Sequence, residues 1–87
     1  MTKNKYYVKG TNILARVSFR EYSFALMRKT LNGEYIVLSC HSTRENAMAV
    51  AKSLRNEFMR HPQDFSSWYR PTDIDFFRIC ELEIRDK

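Results

Sequence analysis

The stretch Ser23-Phe24-Ala25-Leu26-Met27-Arg28-Lys29-Thr30-Leu31-Asn32-Gly33-Glu34-Tyr35-Ile36-Val37-Leu38, continued through Ser42-Thr43-Arg44-Glu45 to Arg60, decides the fold. Leu31-Asn32-Gly33-Glu34 places Asn and Gly between two apolar runs. A two-residue type I′ turn demands positive φ at both central positions, which Asn tolerates and Gly adopts freely. Before it, Tyr22, Phe24 and Leu26 alternate with Ser23, Ala25 and Met27; after it comes the β-branched, apolar run Tyr35-Ile36-Val37-Leu38. This pattern predicts a β-hairpin.

A helix follows at once. Ser42-Thr43-Arg44-Glu45 fits a capping box, with the Ser42 hydroxyl accepting from the Glu45 N–H and the Glu45 carboxylate reaching back to the Ser42 N–H. Ala47, Val50, Ala51, Leu54 and Phe58 then recur at helical spacing and define one apolar face. Pro62 sets the stop, because the residue before a proline is pushed out of the α region.

Working outward, Lys5-Tyr6-Tyr7-Val8-Lys9 reads as a short strand closed by Gly10-Thr11-Asn12, and its lysines suit an edge. Ile13, Ala15, Val17 and Phe19 alternate with Leu14, Arg16, Ser18 and Arg20, as in a half-buried strand. At the far end, Phe76, Cys80, Leu82 and Ile84 fall on one side and Glu81, Glu83 and Arg85 on the other. Arg78 interrupts the apolar side, which a bulge there would reconcile. The fold class expected is α+β: an antiparallel sheet of four to five strands packed against one long helix, in ββββα-β order.

With 87 residues the chain has room for a single domain with one sheet–helix core, spanning residues 1–87. Apolar residues make up 44% and aromatics 14%, which argues against disorder. Two glycines are too few for a Gly-rich phosphate loop. The net charge of +5 is unevenly spread: residues 1–60 hold eleven Lys/Arg against four Glu, a balance of +7, and residues 61–87 hold four Lys/Arg against six Asp/Glu, a balance of −2. A positive field over the N-terminal strands and the helix suits a polyanion or an acidic protein surface, although a basic protein need have neither partner. No run approaches a membrane span and no signal-peptide core follows Met1, so a cytoplasmic protein is expected.

Chemistry-bearing residues are sparse. Cys40, His41, His61 and Cys80 are zinc-ligand types, but their spacing matches no ribbon or finger and no C-x-x-C pair occurs. Free thiols in a reducing compartment are the plainer reading. Neighbours in a strand point to opposite faces, so His41 is no base for Cys40. No motif names a reaction or a cofactor, and the chain is read as non-enzymatic.

Binding is the better reading. Lys5, Lys9, Arg16 and Arg20 are interleaved with Tyr6 and Tyr7 on an acid-free N-terminal segment, and Arg28 and Lys29 lie beside the hairpin turn. Arg44, Lys52 and Arg55 share one helix flank with Met48 and Met59. Cations neutralise phosphates and aromatic faces stack on unpaired bases, so nucleic acid, RNA ahead of DNA, is the expected partner. Met48 and Met59 equally fit the edge of a core or a protein contact. Phe65, Trp68 and Tyr69, set between Pro62 and Pro71, either fold back over the core or anchor a partner. A host protein bound without nucleic acid, and a homodimer through an edge strand, remain alternatives.

The run from Phe24 through Asn32-Gly33 to Ser42-Thr43-Arg44-Glu45-Asn46-Ala47-Met48-Ala49-Val50-Ala51-Lys52-Ser53-Leu54 resembles the hairpin-then-helix end of double-stranded-RNA-binding domains. It resembles equally the sheet-plus-helix of AP2-type and integrase-arm DNA-binding domains. It departs from the first in lacking a lysine pair at the helix start and an N-terminal helix. In overall style the chain is similar to small basic early proteins of large tailed phages. That resemblance implies host interaction and counter-defence, in one type the RNA-assisted inhibition of an RNase toxin, within the host cytoplasm.

Overall fold

A computed structural model describes residues 3–65 and 74–85 of the chain. Its elements run β1 (Asn4–Val8), β2 (Leu14–Ser18), β3 (Phe24–Lys29), β4 (Tyr35–His41), α1 (Arg44–Arg60), a 3-10 turn (Pro62–Phe65) and β5 (Phe77–Arg85). This is the α+β class and the ββββα-β order that the patterning predicts. All ladders are antiparallel, and the strand order is β2-β1-β5-β3-β4. The last strand in sequence therefore sits at the centre, joining two hairpins.

Residues directly opposite one another in a ladder share a face. Ala25 stands between Cys40 and Cys80, and Val8 faces Leu82. Val8 and Ala25 form an inner cluster with Met27, and Tyr35, Val37, Cys80 and Leu82 pack on it. The other, outer face carries a second cluster: Leu26 against Ala47 and Ala51 of α1, with Leu38, Val50, Leu54, Phe77 and Ile79 around them. Two alanines at the contact let α1 approach the sheet closely, and the predicted apolar helix face is the one that packs. β3 is thus buried on both sides at Ala25, Leu26 and Met27.

Four strand reversals separate β2 from β4, so these two edges run in the same direction. They approach within 8 Å between Cα atoms and carry no ladder between them. The sheet is consequently curled and nearly closed, with the inner cluster inside the curl.

Several local details differ from the patterning. The hairpin connection is three residues long, not two: Thr30 pairs with Glu34, the Gly33 N–H donates to the Thr30 carbonyl at 2.9 Å, and Gly33 alone of the pair needs the left-handed region, at φ +82°. The helix cap is Thr43, in extended backbone, whose hydroxyl accepts from the Asn46 N–H at 3.1 Å. Ser42 lies one residue early, because the ladder still holds His41 opposite Phe24 and the chain must turn before the helix begins. β1 is not an edge: it is hydrogen-bonded to β2 and β5, and Tyr6 is wholly buried with its hydroxyl donating to the Arg20 carbonyl at 2.8 Å. β2 is the edge instead.

The expected bulge at Arg78 is absent, and the β3–β5 register is regular through it. Arg78 ends the inner side with its guanidinium 4.2 Å from the Tyr35 ring centroid, while Phe77 and Ile79 pack under α1. The bulges lie elsewhere, between Leu26 and Met27 against β4 and between Tyr6 and Tyr7 against β2.

Candidate nucleic-acid interface

The outer face is only half covered. α1 lies across β3, β4 and β5. The outer row of β1 and β5 continues beyond it: Lys5 opposite Arg85, Tyr7 opposite Glu83, with Glu81 next on the same side as Ile79. Lys9 joins this row through Glu81, at 3.9 Å. One flank of α1 stands over the row as a wall. Between wall and sheet runs a groove of about 680 Å³ lined by three cations, Arg44, Lys52 and Arg55, one acid, Glu45, and Met48, Ala49 and Ala51 from the helix, and by Phe77 and Ile79 from β5.

Helical spacing explains the wall, since residues at intervals of three, four and seven or eight share a flank. Arg44 and Lys52 stand about 12 Å apart along the axis. The Arg44 guanidinium lies 5.1 Å from the Phe24 ring centroid and that of Arg55 5.2 Å from Phe77. Both charged tips thus sit over aromatic rings of the sheet, at the groove. Arg55 Nε is buried and has no hydrogen-bond partner among the described residues. A guanidinium donor left unsatisfied in this position is an unmet demand for an acceptor.

The acids along the row are already engaged. Glu83 accepts from Arg85 Nε at 3.2 Å and from Arg85 Nη2, and from the Gly10 N–H at 3.4 Å. The Arg85 bonds are the main reason its carboxyl is held below its ordinary range. Arg85 also donates to the Thr11 carbonyl and lies 4.4 Å from the Tyr7 ring centroid, so it ties the β1–β2 connection to β5.

Of the candidates from sequence, Lys5, Lys9, Arg44, Lys52 and Arg55 therefore share one side of the molecule, with Met48 at the groove. Arg16 and Arg20 do not join them. Arg16 belongs to the inner side, donating to the Tyr22 hydroxyl at 3.2 Å, and Arg20 follows β2 near Tyr6. Arg28 is half-buried on β3 opposite Phe77. Lys29 is ion-paired with Asp75 at 2.8 Å, a bond that holds the Asp75 carboxyl below its usual range. Met59 is exposed in the last helical turn, away from the groove. Trp68 and Tyr69 lie outside the described residues, as does the side chain of Phe65.

Sequence reasoning overlooked Lys3, Leu14 and Phe19. The β1–β2 bulge makes Ala15 the extra residue, so Leu14 faces Tyr7 and Val17 faces Lys5 on the same outer side, three positions apart. Strict alternation cannot show that.

A larger space of about 860 Å³ lies inside the curl between β2 and β4, lined mainly by apolar side chains such as Val8, Ala15, Met27 and Val37. Leu14, at the start of β2, borders this space as well as the outer side. Cys40 and Cys80 face the inner side, and burial pushes both thiols above their ordinary values. They are two strand spacings apart, roughly 10 Å, beyond disulfide reach. Among the described residues no group of three His, Cys, Asp or Glu side chains is arranged to hold a metal, and no helix is long and apolar enough to cross a membrane. A scan against protein-family models found no match, and no curated protein and no solved structure matches the chain.

Proposed function

We propose that the chain is a small, non-enzymatic binding module for nucleic acid, with RNA ahead of DNA. The observation that carries the reading is that Arg44, Lys52 and Arg55 line one groove on the outer side of the sheet, with Lys5 and Lys9 on the outer row of β1 and β5 beyond it. Phosphates are met by such a row, and each neutralised phosphate releases counterions. Folded RNA offers more unpaired bases to aromatic faces than duplex DNA does, which favours RNA. In the phage class that the chain resembles, such binding serves to blunt a host defence factor in the host cytoplasm, an RNase toxin being the RNA-assisted case.

The test is fluorescence anisotropy of labelled RNA and DNA over a salt series. Affinity is expected to fall steeply with salt. The Arg44→Ala/Lys52→Ala double variant should weaken binding to every sequence alike and flatten the log–log slope by roughly 0.7–0.9 for each phosphate it no longer neutralises. A chain that binds neither polymer at about 50 mM salt overturns the proposal.

A second reading rests on the groove floor. Met48, Phe77 and Ile79 are apolar, and Met48 is 55% exposed at the rim. A protein-directed inhibitor or adaptor would place an apolar side chain there. Partner capture that survives nuclease treatment and is abolished by Met48→Glu favours this reading over the first.

A further inference from the structure

We propose that the uncovered half of the sheet is a platform for single-stranded nucleic acid, and that Phe19 is a base-stacking residue on it. The inference rests on the nucleic-acid reading and narrows it to unpaired strands. β2 presents Leu14, Val17 and, just past its end, Phe19 on the outer side, 49%, 42% and 58% exposed. Beside them β1 presents Lys5 and Tyr7, because Lys5 stands opposite Val17 and Tyr7 opposite Leu14, and Lys3 lies just before the strand. The Lys3 ammonium lies 5.6 Å from the Phe19 ring centroid, and the Arg85 guanidinium covers Tyr7. Along β5 the platform leads from the Lys5–Arg85 and Tyr7–Glu83 pairs through Glu81 to Ile79 at the groove under α1, all on the same side of the sheet.

Charge alone explains neither the ring nor the aliphatics. A duplex offers a docking face its phosphates and sugars, and keeps its base faces stacked inside the helix. Against such a surface, Phe19, Leu14 and Val17 would remain as exposed apolar area with nothing to bury. An unpaired strand supplies what this surface lacks: base planes for Phe19 and for the Arg85 guanidinium over Tyr7, and phosphates for Lys3, Lys5 and Lys9. The bulge in the β1–β2 ladder is what makes the surface, since it brings Leu14 round to the side of Val17.

The experiment uses the full chain and two probes of equal length, a 12-nucleotide oligouridine and a 12-base-pair RNA duplex, with Phe19→Ala and Phe19→Lys. Phe19 is more than half exposed, so both variants should keep the native circular dichroism spectrum. The single strand is expected to bind at least tenfold more tightly than the duplex. Phe19→Ala should cost roughly tenfold for the single strand, the order of one stacked base, and leave the duplex unchanged. Phe19→Lys is decisive, because it adds a cation where it removes a ring: weakened single-strand binding supports stacking. If Phe19→Lys tightens binding, or if both probes bind alike, the platform is overturned while the nucleic-acid reading stands. If neither probe binds, both fall.

Discussion

Glu83 shows how one side chain here is committed to structure and yet borders the binding face. It holds two bonds from Arg85 and one from the Gly10 N–H. Its carboxyl therefore titrates lower in the folded chain than in the unfolded one, chiefly because of Arg85. A group depressed by folding adds stability above its unfolded value, and that contribution disappears as the pH falls through the folded value. Glu83→Gln should consequently lower the melting temperature at neutral pH, and the gap to the parent chain should narrow as the pH is lowered through the acid range. An equal gap at neutral and acid pH in thermal melts would show that the carboxylate charge is not what Arg85 recognises. Being exposed, the pair is screened, so the effect is a modest shift and not loss of the fold. Substitution at Glu83 also unmasks Arg85, so nucleic-acid affinity should not fall with it.

At the scale of elements, what was legible in the sequence is what local chemistry alone dictates. The Ala47–Val50–Ala51–Leu54–Phe58 stripe specifies the packed helix face, and the run flanking Asn32-Gly33 specifies the β3–β4 hairpin. Details that depend on the neighbouring element were not legible. Ser42 and Thr43 are both competent caps with an acceptor oxygen. The ladder between His41 and Phe24 decides between them by holding the chain extended one residue longer. Thr43→Ala should therefore cost about 1 kcal/mol of unfolding free energy in denaturant titrations, and Ser42→Ala only a few tenths. The reverse order would restore Ser42 as the cap. The binding face divides the same way. Arg44, Lys52 and Arg55 were found because helical periodicity groups them, whereas Leu14 was missed because a bulge resets the alternation of β2, and Phe19 because an apolar side chain in alternation with Val17 reads as core. Arg16 keeps its alternation with Val17, and the pattern alone does not say which side of β2 turns into the curl.

At the scale of the molecule, five strands in an all-antiparallel order leave an unpaired seam. β2 and β4 point the same way, so no antiparallel ladder can close them, and among the described residues the curl ends in two edges near one another that share no ladder. The centre belongs to β5, the last strand in the sequence, which alone connects the β1–β2 hairpin to the β3–β4 hairpin. An isolated hairpin is marginal in water, so the β1–β2 hairpin has no independent stability without β5, and α1 cannot substitute, because its packing is on β3, β4 and β5. The two halves should then open as one unit. Amide hydrogen exchange tests this directly: the ladder N–H groups of β5 should exchange only through global unfolding, as slowly as those of β3. The edge-facing N–H groups of β2 and β4 should exchange far faster by local opening. Protection in β5 no greater than in β2 would mean that the β1–β2 hairpin and the chain end detach together, leaving β3, β4 and α1 as the stable remnant. The outcome bears on binding as well. A platform on β1 and β2 held through β5 to the helix wall is one rigid surface with the groove. One that detaches is two surfaces, and single-strand affinity would then rise under conditions that protect β5.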